Sequence, residues 1–440
     1  MKKTRLAIIV ATNPSIWQSC RIITPNIDAC YRSIADHSDG LVEIEYFNYH
    51  NNQSELDLID QVKKTSDWKP DIVVFMDHQP HPLHFLKYYK ELNPKKCHFI
   101  FHVYGDFTLF TVDWVSAGRL LKKDQCQFIA ASHKQVELIS SFTENPKAVN
   151  YCPFPVDDQR FYFDQSLREK AREELGIKKG DFVFLYTGRL SPQKNTLEMI
   201  NLFELAFKET KKPPLFLFAG AFDQLGTPFI GNYLSSNQYH SHVNLKLHNL
   251  HDNLKDRIHY VGSLEPEELV KYYRASDTFI SLSLHNDEDY GMSPIESLLC
   301  GTKAILTDWA GYSSFALKSK YCELISVSMK NHRLSFDADQ FVSALHSAFQ
   351  KGKLKESERQ KIHDLYASKF SITSNIKTIE KIVFKGNKVF SGFTPKLKTM
   401  SALFKSNHYS PFSHPRIPLA YNAYYEDIYA PYYRKTERRD

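Results

Sequence analysis

Two short segments of the chain bring together residue types that bind phosphate and hydroxyl groups. The first, TGRLSPQKN over 187–195, lies between an apolar run and a helical stretch. Gly188 lets backbone approach a ligand and Arg189 and Lys194 supply two fixed cations. The helix that follows adds N-terminal amides and its positive dipole end. Those parts suit a diphosphate, although Arg and Lys in a polar turn can equally face water. The second segment, HNDEDYGMSPIE over 285–296, again follows an apolar run and opens a helix. Ser293, Pro294 and Glu296 have the pattern of an N-terminal capping box with proline at the first helical position. On spacing alone Glu296 therefore has a structural duty, and Glu288 reads either as a ligand contact or as solvated loop charge.

Short apolar runs that alternate with helical stretches must position these groups, and that alternation marks parallel sheets covered by helices. In the first half, Leu6–Ala11, Leu41–Phe47, Asp71–Met76, His98–His102 and Cys126–Ala130 read as strands buried on both faces. An irregular, proline-containing stretch over 151–161 and a charged helix from Gln165 to Leu175 then separate them from a second series. Its strands are Phe182–Thr187, Leu215–Ala219, Arg257–Val261, Thr278–Leu282 and Lys303–Thr307, with helices at Thr196–Lys208 and Pro266–Ala275 between them. The expected class is α/β, with two Rossmann-like doubly wound domains at 1–155 and 156–365. A return helix within Ala367–Phe384 and a basic aromatic extension over 385–440 follow. Ligands in such domains bind outside the carboxyl ends of the strands, so a cleft between the two domains is the default site.

The two segments together, in this order, resemble the retaining GT-B glycosyltransferases, specifically glycosyltransferase family 4, also called glycosyl transferases group 1. The shared elements are Gly188, Arg189, Leu190 and Lys194, then Glu288 and Glu296. Val261 and Gly262, the stretch from Gly301 through Asp308 to Gly311, Ser132, and the Val156, Asp157, Arg160, Phe161 linker extend the likeness. The resemblance implies that Arg189 and Lys194 neutralise the donor diphosphate and that Glu296 holds the ribose hydroxyls. It gives Glu288 the donor sugar, with amides near Tyr290, Gly291 and Met292 close by. His102, before Tyr104 and Gly105, is similar to a position whose histidine contacts the sugar near the reacting carbon. The N-terminal domain is then the acceptor side, with Asn13, Asp77, His78 and Asp106 as its candidates and His81 nearby. One departure stands out: the glycine-rich loop of many members is replaced by Thr12, Asn13, Pro14 and Ser15. Proline has no amide to offer there, so that loop cannot cradle phosphate in the usual way.

The function so implied is retaining transfer from a nucleotide-diphosphate sugar to a saccharide, glycolipid or protein-linked acceptor, a cell-envelope polysaccharide among them. The two cations stand where the leaving phosphate gathers charge, so no metal or other cofactor is expected. The competing reading is a catalytically silent GT-B scaffold that binds sugar or nucleotide.

Composition narrows the setting. Hydrophobic residues at 42% and charged residues at 24% describe a globular chain of 440 residues and exclude a disordered or fibrous one. No apolar run approaches the length a membrane helix needs. The run Leu6–Ala11 after Lys2, Lys3 and Arg5 ends too early, at Asn13 and Pro14, for a signal peptide and reads as a buried strand. Seven cysteines without a close pair point to reduced thiols in the cytoplasm. The net charge of +6 lies in the extension from Lys385 onward, while the body is formally neutral. That stretch, rich in tyrosine and phenylalanine, suits packing across the body, polymer stacking, or peripheral contact with the inner face of the membrane. Nucleic-acid binding fits poorly with a neutral body. The segment 223–252, rich in Asn, Ser and His, reads as a surface insertion whose histidines lack metal-ligand spacing.

Overall fold

The computed structural model describes residues 3–11, 18–49, 53–76, 82–105, 107–222, 236–284, 288–317, 319–330, 333–385, 389–407 and 419–433. The chain divides into two compact units, 1–156 with 370–410 and 157–369 with 411–440.

In the first unit the apolar runs become β1 (Thr4–Ala11), β2 (Val42–Tyr49), β3 (Ile72–Phe75), β4 (His98–Val103), β5 (Gln125–Ala130) and a short β6 (Val149–Tyr151). They form one parallel sheet in the order β2-β1-β3-β4-β5-β6. Every residue of β3 and β4 is buried, as expected of strands covered on both faces. Aromatic rings line one of those faces: Phe75 stacks on Phe101 at 5.2 Å, and Phe101 on Phe128 at 5.4 Å.

The segment after Lys385 contributes to this core. Val389 bridges to Gln125 of β5, and Phe390 and Phe393, 1% and 2% exposed, pack against Phe128. The helix Pro395–Asn407 then lies on Thr111–Leu120, burying Leu397 and Met400.

The expected single helix over Ala367–Phe384 is two helices, Glu356–Phe370 and Ile372–Lys385. Ser371 separates them because the backbone on either side of it pairs with Val156. Val156 N–H reaches the Phe370 carbonyl at 2.8 Å and Ile372 N–H the Val156 carbonyl at 3.0 Å. Ser371 then caps the second helix through the Ser374 N–H at 3.1 Å.

In the second unit β7 (Val183–Thr187), β8 (Leu215–Ala219), β9 (Ile258–Tyr260), β10 (Thr278–Ser281), β11 (Lys303–Thr307) and β12 (Cys322–Ile325) make a parallel sheet. Its order is β12-β11-β10-β7-β8-β9, so the strand order reverses between β7 and β10. Such a switch point is where doubly wound sheets take ligands. An antiparallel hairpin of β13 (Val327–Lys330) and β14 (Arg333–Phe336) follows. Phenylalanines fill the core, with Phe184 against Phe203 and Phe203 stacked on Phe216 at 5.1 Å. Part of the expected surface insertion belongs to this core: Ser236–His248 is a helix that buries Tyr239 and Val243. Residues 223–235 lie outside the described residues.

β7 and β10 pair directly only at Thr278–Phe184 and Phe279–Leu185, and Asp277 anchors them. Its N–H reaches the Val183 carbonyl, and its carboxylate accepts the Val183 N–H, both at 2.9 Å. Arg168 and Arg359 donate to the same carboxylate at 2.6 and 2.7 Å. Their second nitrogens, with that of Arg172, cap the carbonyls of 274–276 at the end of the helix Pro266–Ala275. Asp277→Asn leaves these buried guanidiniums without their counter-charge. We expect it to cost about 3 kcal/mol, read as a lower urea midpoint at unchanged slope for the transition of this unit. A midpoint equal to that of the unsubstituted protein would remove Asp277 from this role.

Candidate functional site

The turn after β7 is set by close backbone approach. Gly188 N–H bonds the Ala219 carbonyl at 3.0 Å and Leu190 N–H the Ala221 carbonyl at 2.8 Å, so the turn follows the end of β8. A Cβ at Gly220, whose φ is +142°, would stand 1.8 Å from the Gly188 carbonyl oxygen, and only glycine permits that approach. The chain then makes one 3-10 turn, Pro192–Lys194, and passes through left-handed Asn195, φ 53°, into the helix Thr196–Phe207. Asn195 Nδ2 donates to the Leu282 carbonyl at 2.7 Å and Leu284 N–H to the Gln193 carbonyl at 3.0 Å. These two bonds stitch the turn after β7 to the chain leaving β10, with Arg189 half-buried at its start.

The stitching delivers Lys194 to Glu288. The Lys194 ammonium is paired with Glu288 Oε2, and the Ser283 hydroxyl donates to the same oxygen at 2.5 Å. The two charged side chains are 14% and 9% exposed, so each depends on the other to offset its lost hydration. Tyr186 and Tyr312 lie within the field of this carboxylate. Burial first, and the Glu288 charge second, hold both phenols well above their ordinary range.

Glu296 sits on the helix Met292–Leu299, and here the expected capping box is corrected. The helix starts at Met292 after Gly291, φ +105°, and no side chain caps it, so Pro294 is its third residue. Residue 291 must be glycine: a Cβ there would stand 2.4 Å from the Tyr312 ring. Freed from capping, the Glu296 carboxyl accepts the Tyr273 hydroxyl at 2.9 Å, and Tyr273 in turn takes the Thr187 hydroxyl at 2.8 Å. Burial pushes Glu296 up to about 7, opposed by the Tyr273 hydrogen bond and the positive charge of Arg160. Tyr290 is buried against Phe315, with ring centroids 5.3 Å apart, and Met292 is half-buried.

The second unit thus gathers Gly188, Arg189, Lys194, Glu288, Tyr290, Gly291, Met292 and Glu296 at the ends of β7 and β10. His102 lies in the first unit, within β4 rather than after it, 2% exposed, with Nε2 2.9 Å from the Tyr31 hydroxyl. Burial draws its pKa down to about 3, so the imidazole is neutral. Asn13, Asp77, His78 and Asp106, with His81, lie outside the described residues. Among the described residues no group of three or more His, Cys, Asp or Glu side chains stands close enough to hold a metal ion.

Sequence reasoning missed Ser283, Tyr273 and Tyr432, whose hydroxyls donate to Glu288, Glu296 and Asp289. Ser283 carried a usable signal, since it stands two residues past β10, where ligand-site side chains collect. Tyr273 and Tyr432 carried none, because what makes them partners is tertiary.

The raised pKa of Glu296 has a pH consequence with a definite sign. Between about 4.5, its value in the unfolded chain, and about 7, the folded state holds the extra proton, so stability falls as pH rises through that window. Glu296→Gln removes the titration. Its melting temperature should match the unsubstituted protein near pH 4.5 and exceed it at pH 8; an unaltered pH profile refutes a buried protonated Glu296.

Residues 168–343 match the family model described as Glycosyl transferases group 1. Alpha-monoglucosyldiacylglycerol synthase of Streptococcus pneumoniae is 31% identical over 141 residues, 32% of this chain and 27% of that protein. Mannosylfructose-phosphate synthase of Agrobacterium fabrum is 27% identical over 187 residues, 42% of this chain and 38% of that protein. The chain therefore spans well under half the length of these curated relatives. Among solved structures, Anabaena HepE in complex with UDP superposes with a TM-score of 0.62 at 12% identity, covering 87% of this chain and 100% of that one. A glycosyltransferase from Rickettsia africae reaches 0.61 at 16% identity, over 88% and 99%. At such identities the likeness is one of fold. The matched segment contains the Lys194, Glu288 and Glu296 elements, so in residues 168–343 the chain is similar to the group 1 glycosyl transferases, and its two parallel sheets have the GT-B fold.

Proposed function

We propose that the chain is a retaining, metal-independent glycosyltransferase that moves a sugar from a nucleotide-diphosphate sugar to a saccharide, glycolipid or protein-linked acceptor. The observation that carries this reading is the buried Lys194–Glu288 pair at the β7/β10 reversal, inside the segment that matches the family. Structures of the HepE neighbour hold UDP and UDP-glucose, and one relative is an alpha-monoglucosyldiacylglycerol synthase.

Transfer breaks the bond between the anomeric carbon and the diphosphate, and negative charge grows on the departing oxygen as the sugar becomes oxocarbenium-like. Arg189 and Lys194 stabilise that charge more than the ground state, which is what accelerates the step. In the free protein Glu288 holds Lys194; with donor bound, Lys194 turns to phosphate and Glu288 accepts hydroxyls of the sugar. Glu296, protonated or not, receives the ribose. Retention follows from attack on the face the phosphate leaves, the phosphate taking the acceptor proton. The seven cysteines, spaced without a close pair in the sequence, fit a reducing cytoplasmic setting. Peripheral contact with the inner face of the membrane, where a lipid acceptor would lie, belongs to the same proposal.

A thermal-shift screen against UDP, GDP, ADP and CMP and their sugars, with EDTA present, identifies the donor, because a ligand of the native state alone raises the melting temperature. With that donor, Glu288→Ala and Lys194→Ala should each lower kcat/KM about a hundredfold or more. Activity that EDTA abolishes and a divalent ion restores contradicts metal independence. Turnover undiminished in Glu288→Ala contradicts its role. A protein that shifts with a nucleotide yet transfers nothing is a binding scaffold.

A further inference from the structure

The residue after Glu288 is held by the far end of the chain. Asp289 is a carboxylate only 4% exposed, and a buried carboxylate needs a donor. The Tyr432 hydroxyl, itself on a side chain 1% exposed, donates to its Oδ1. The Tyr432 ring meets Trp309 edge to face at 5.5 Å and 88°, and Tyr429, one turn earlier on the same helix, lies over Trp309 at 6.4 Å.

Trp309 is fully buried and leads into the 3-10 turn Ala310–Phe315. From that turn the Gly311 N–H bonds the Glu288 carbonyl at 2.8 Å. The C-terminal helix Leu419–Tyr433 thus grips two adjacent residues by two routes. It takes the Asp289 side chain directly, and the Glu288 main chain through the turn that rests on it. Catalytic and binding side chains work only when held within a fraction of an ångström, and such holding comes from the groups behind them.

We propose that Tyr432 is a positioning residue for the loop Glu288–Gly291, so that the C-terminal helix forms the back wall of the subsite for the donor sugar. This rests on the donor-sugar reading of Glu288 given above. Tyr432 touches no reacting atom; it acts through Asp289. Without this hydroxyl Asp289 loses the bond that ties it to the C-terminal helix, and the loop relaxes, taking Glu288 away from Lys194 and Ser283. The diphosphate contacts at Arg189 and the ribose contact at Glu296 lie on other elements and stay in place.

The full-length chain carrying Tyr432→Phe keeps the ring against Trp309 and loses only the hydroxyl; Tyr429→Leu, on the same helix, loses stacking and keeps the donor. Amide hydrogen exchange over 288–291 should quicken about tenfold in Tyr432→Phe and stay near the unsubstituted rate in Tyr429→Leu. In titrations with UDP and UDP-glucose, Tyr432→Phe should weaken UDP-glucose about tenfold while leaving UDP within twofold, with a matching fall in kcat. Unchanged exchange in Tyr432→Phe overturns the inference. So does an equal rise in both variants that tracks melting temperature, since that is general packing. If the unsubstituted protein binds neither ligand, the donor reading fails for this nucleotide, and the exchange measurement decides the positioning role by itself.

Discussion

The pairing of β7 with β10 is the constraint on which the site depends. The two strands share only two directly paired positions, yet they must stay side by side, because the reversal of strand order between them is what opens a crevice. The sequence secures this short pairing at both ends by different chemistry. At the amino ends Asp277 binds the Val183 backbone on one side and guanidiniums on the other, a dense set of charge-assisted bonds that no ligand needs to disturb. At the carboxyl ends the ties are an Asn195 amide, a Leu284 N–H and the Lys194–Glu288 ion pair. Permanence sits at one end and exchangeable contacts at the other.

That division bears on how Glu288 and Glu296 tolerate burial. An isolated buried charge costs several kcal/mol, so each acid is given donors within the protein. Glu288 has an ammonium and a hydroxyl. Glu296 has a phenol and, with its pKa near 7, keeps a proton for part of the physiological range. On the proposed function a hydroxylated ligand replaces hydroxyl donors of the same kind, so its entry exchanges hydrogen bonds instead of creating bare charges. Specificity then comes from geometry, because a ligand lacking the matching hydroxyl leaves a buried acceptor unsatisfied.

Much of this was legible in the chain. Strands buried on both faces are continuous apolar runs, and every run assigned in the second half became a strand within a residue or two of its expected ends, since nothing but a sheet interior suits FVFLYT or LFLFA. The turn 187–195 was readable because glycine, proline and paired cations have few other uses between a strand and a helix. Where reasoning failed, a distant group overrode a local pattern. SPIE reads as a capping box, but the tight contact of Gly291 with Tyr312 starts the helix earlier and releases Glu296. Ala367–Phe384 reads as one helix, but Val156, more than two hundred residues away, takes the backbone of Phe370 and Ile372.

For the C-terminal extension composition left several uses open, and the structure shows the first of them, packing, for its described rings. Basic residues and many aromatic rings look alike whether a surface stacks on a polymer or a segment plugs a core, because both uses need large flat side chains flanked by solubilising charge. Burial separates them. Phe390 and Phe393 close the aromatic stack over β5, and Tyr429 and Tyr432 close a second one on Trp309. Those four rings are structural partners of two different units, and Tyr432 also spends its hydroxyl on a carboxylate next to Glu288. A segment that supplies a buried donor to one residue of a loop cannot be lost without removing a bond that holds that loop. The extension is therefore tied to the chemistry of the second unit by the same rule that fixes Asp277 at the other end of β10: a carboxylate taken out of water must be given its donors by the protein.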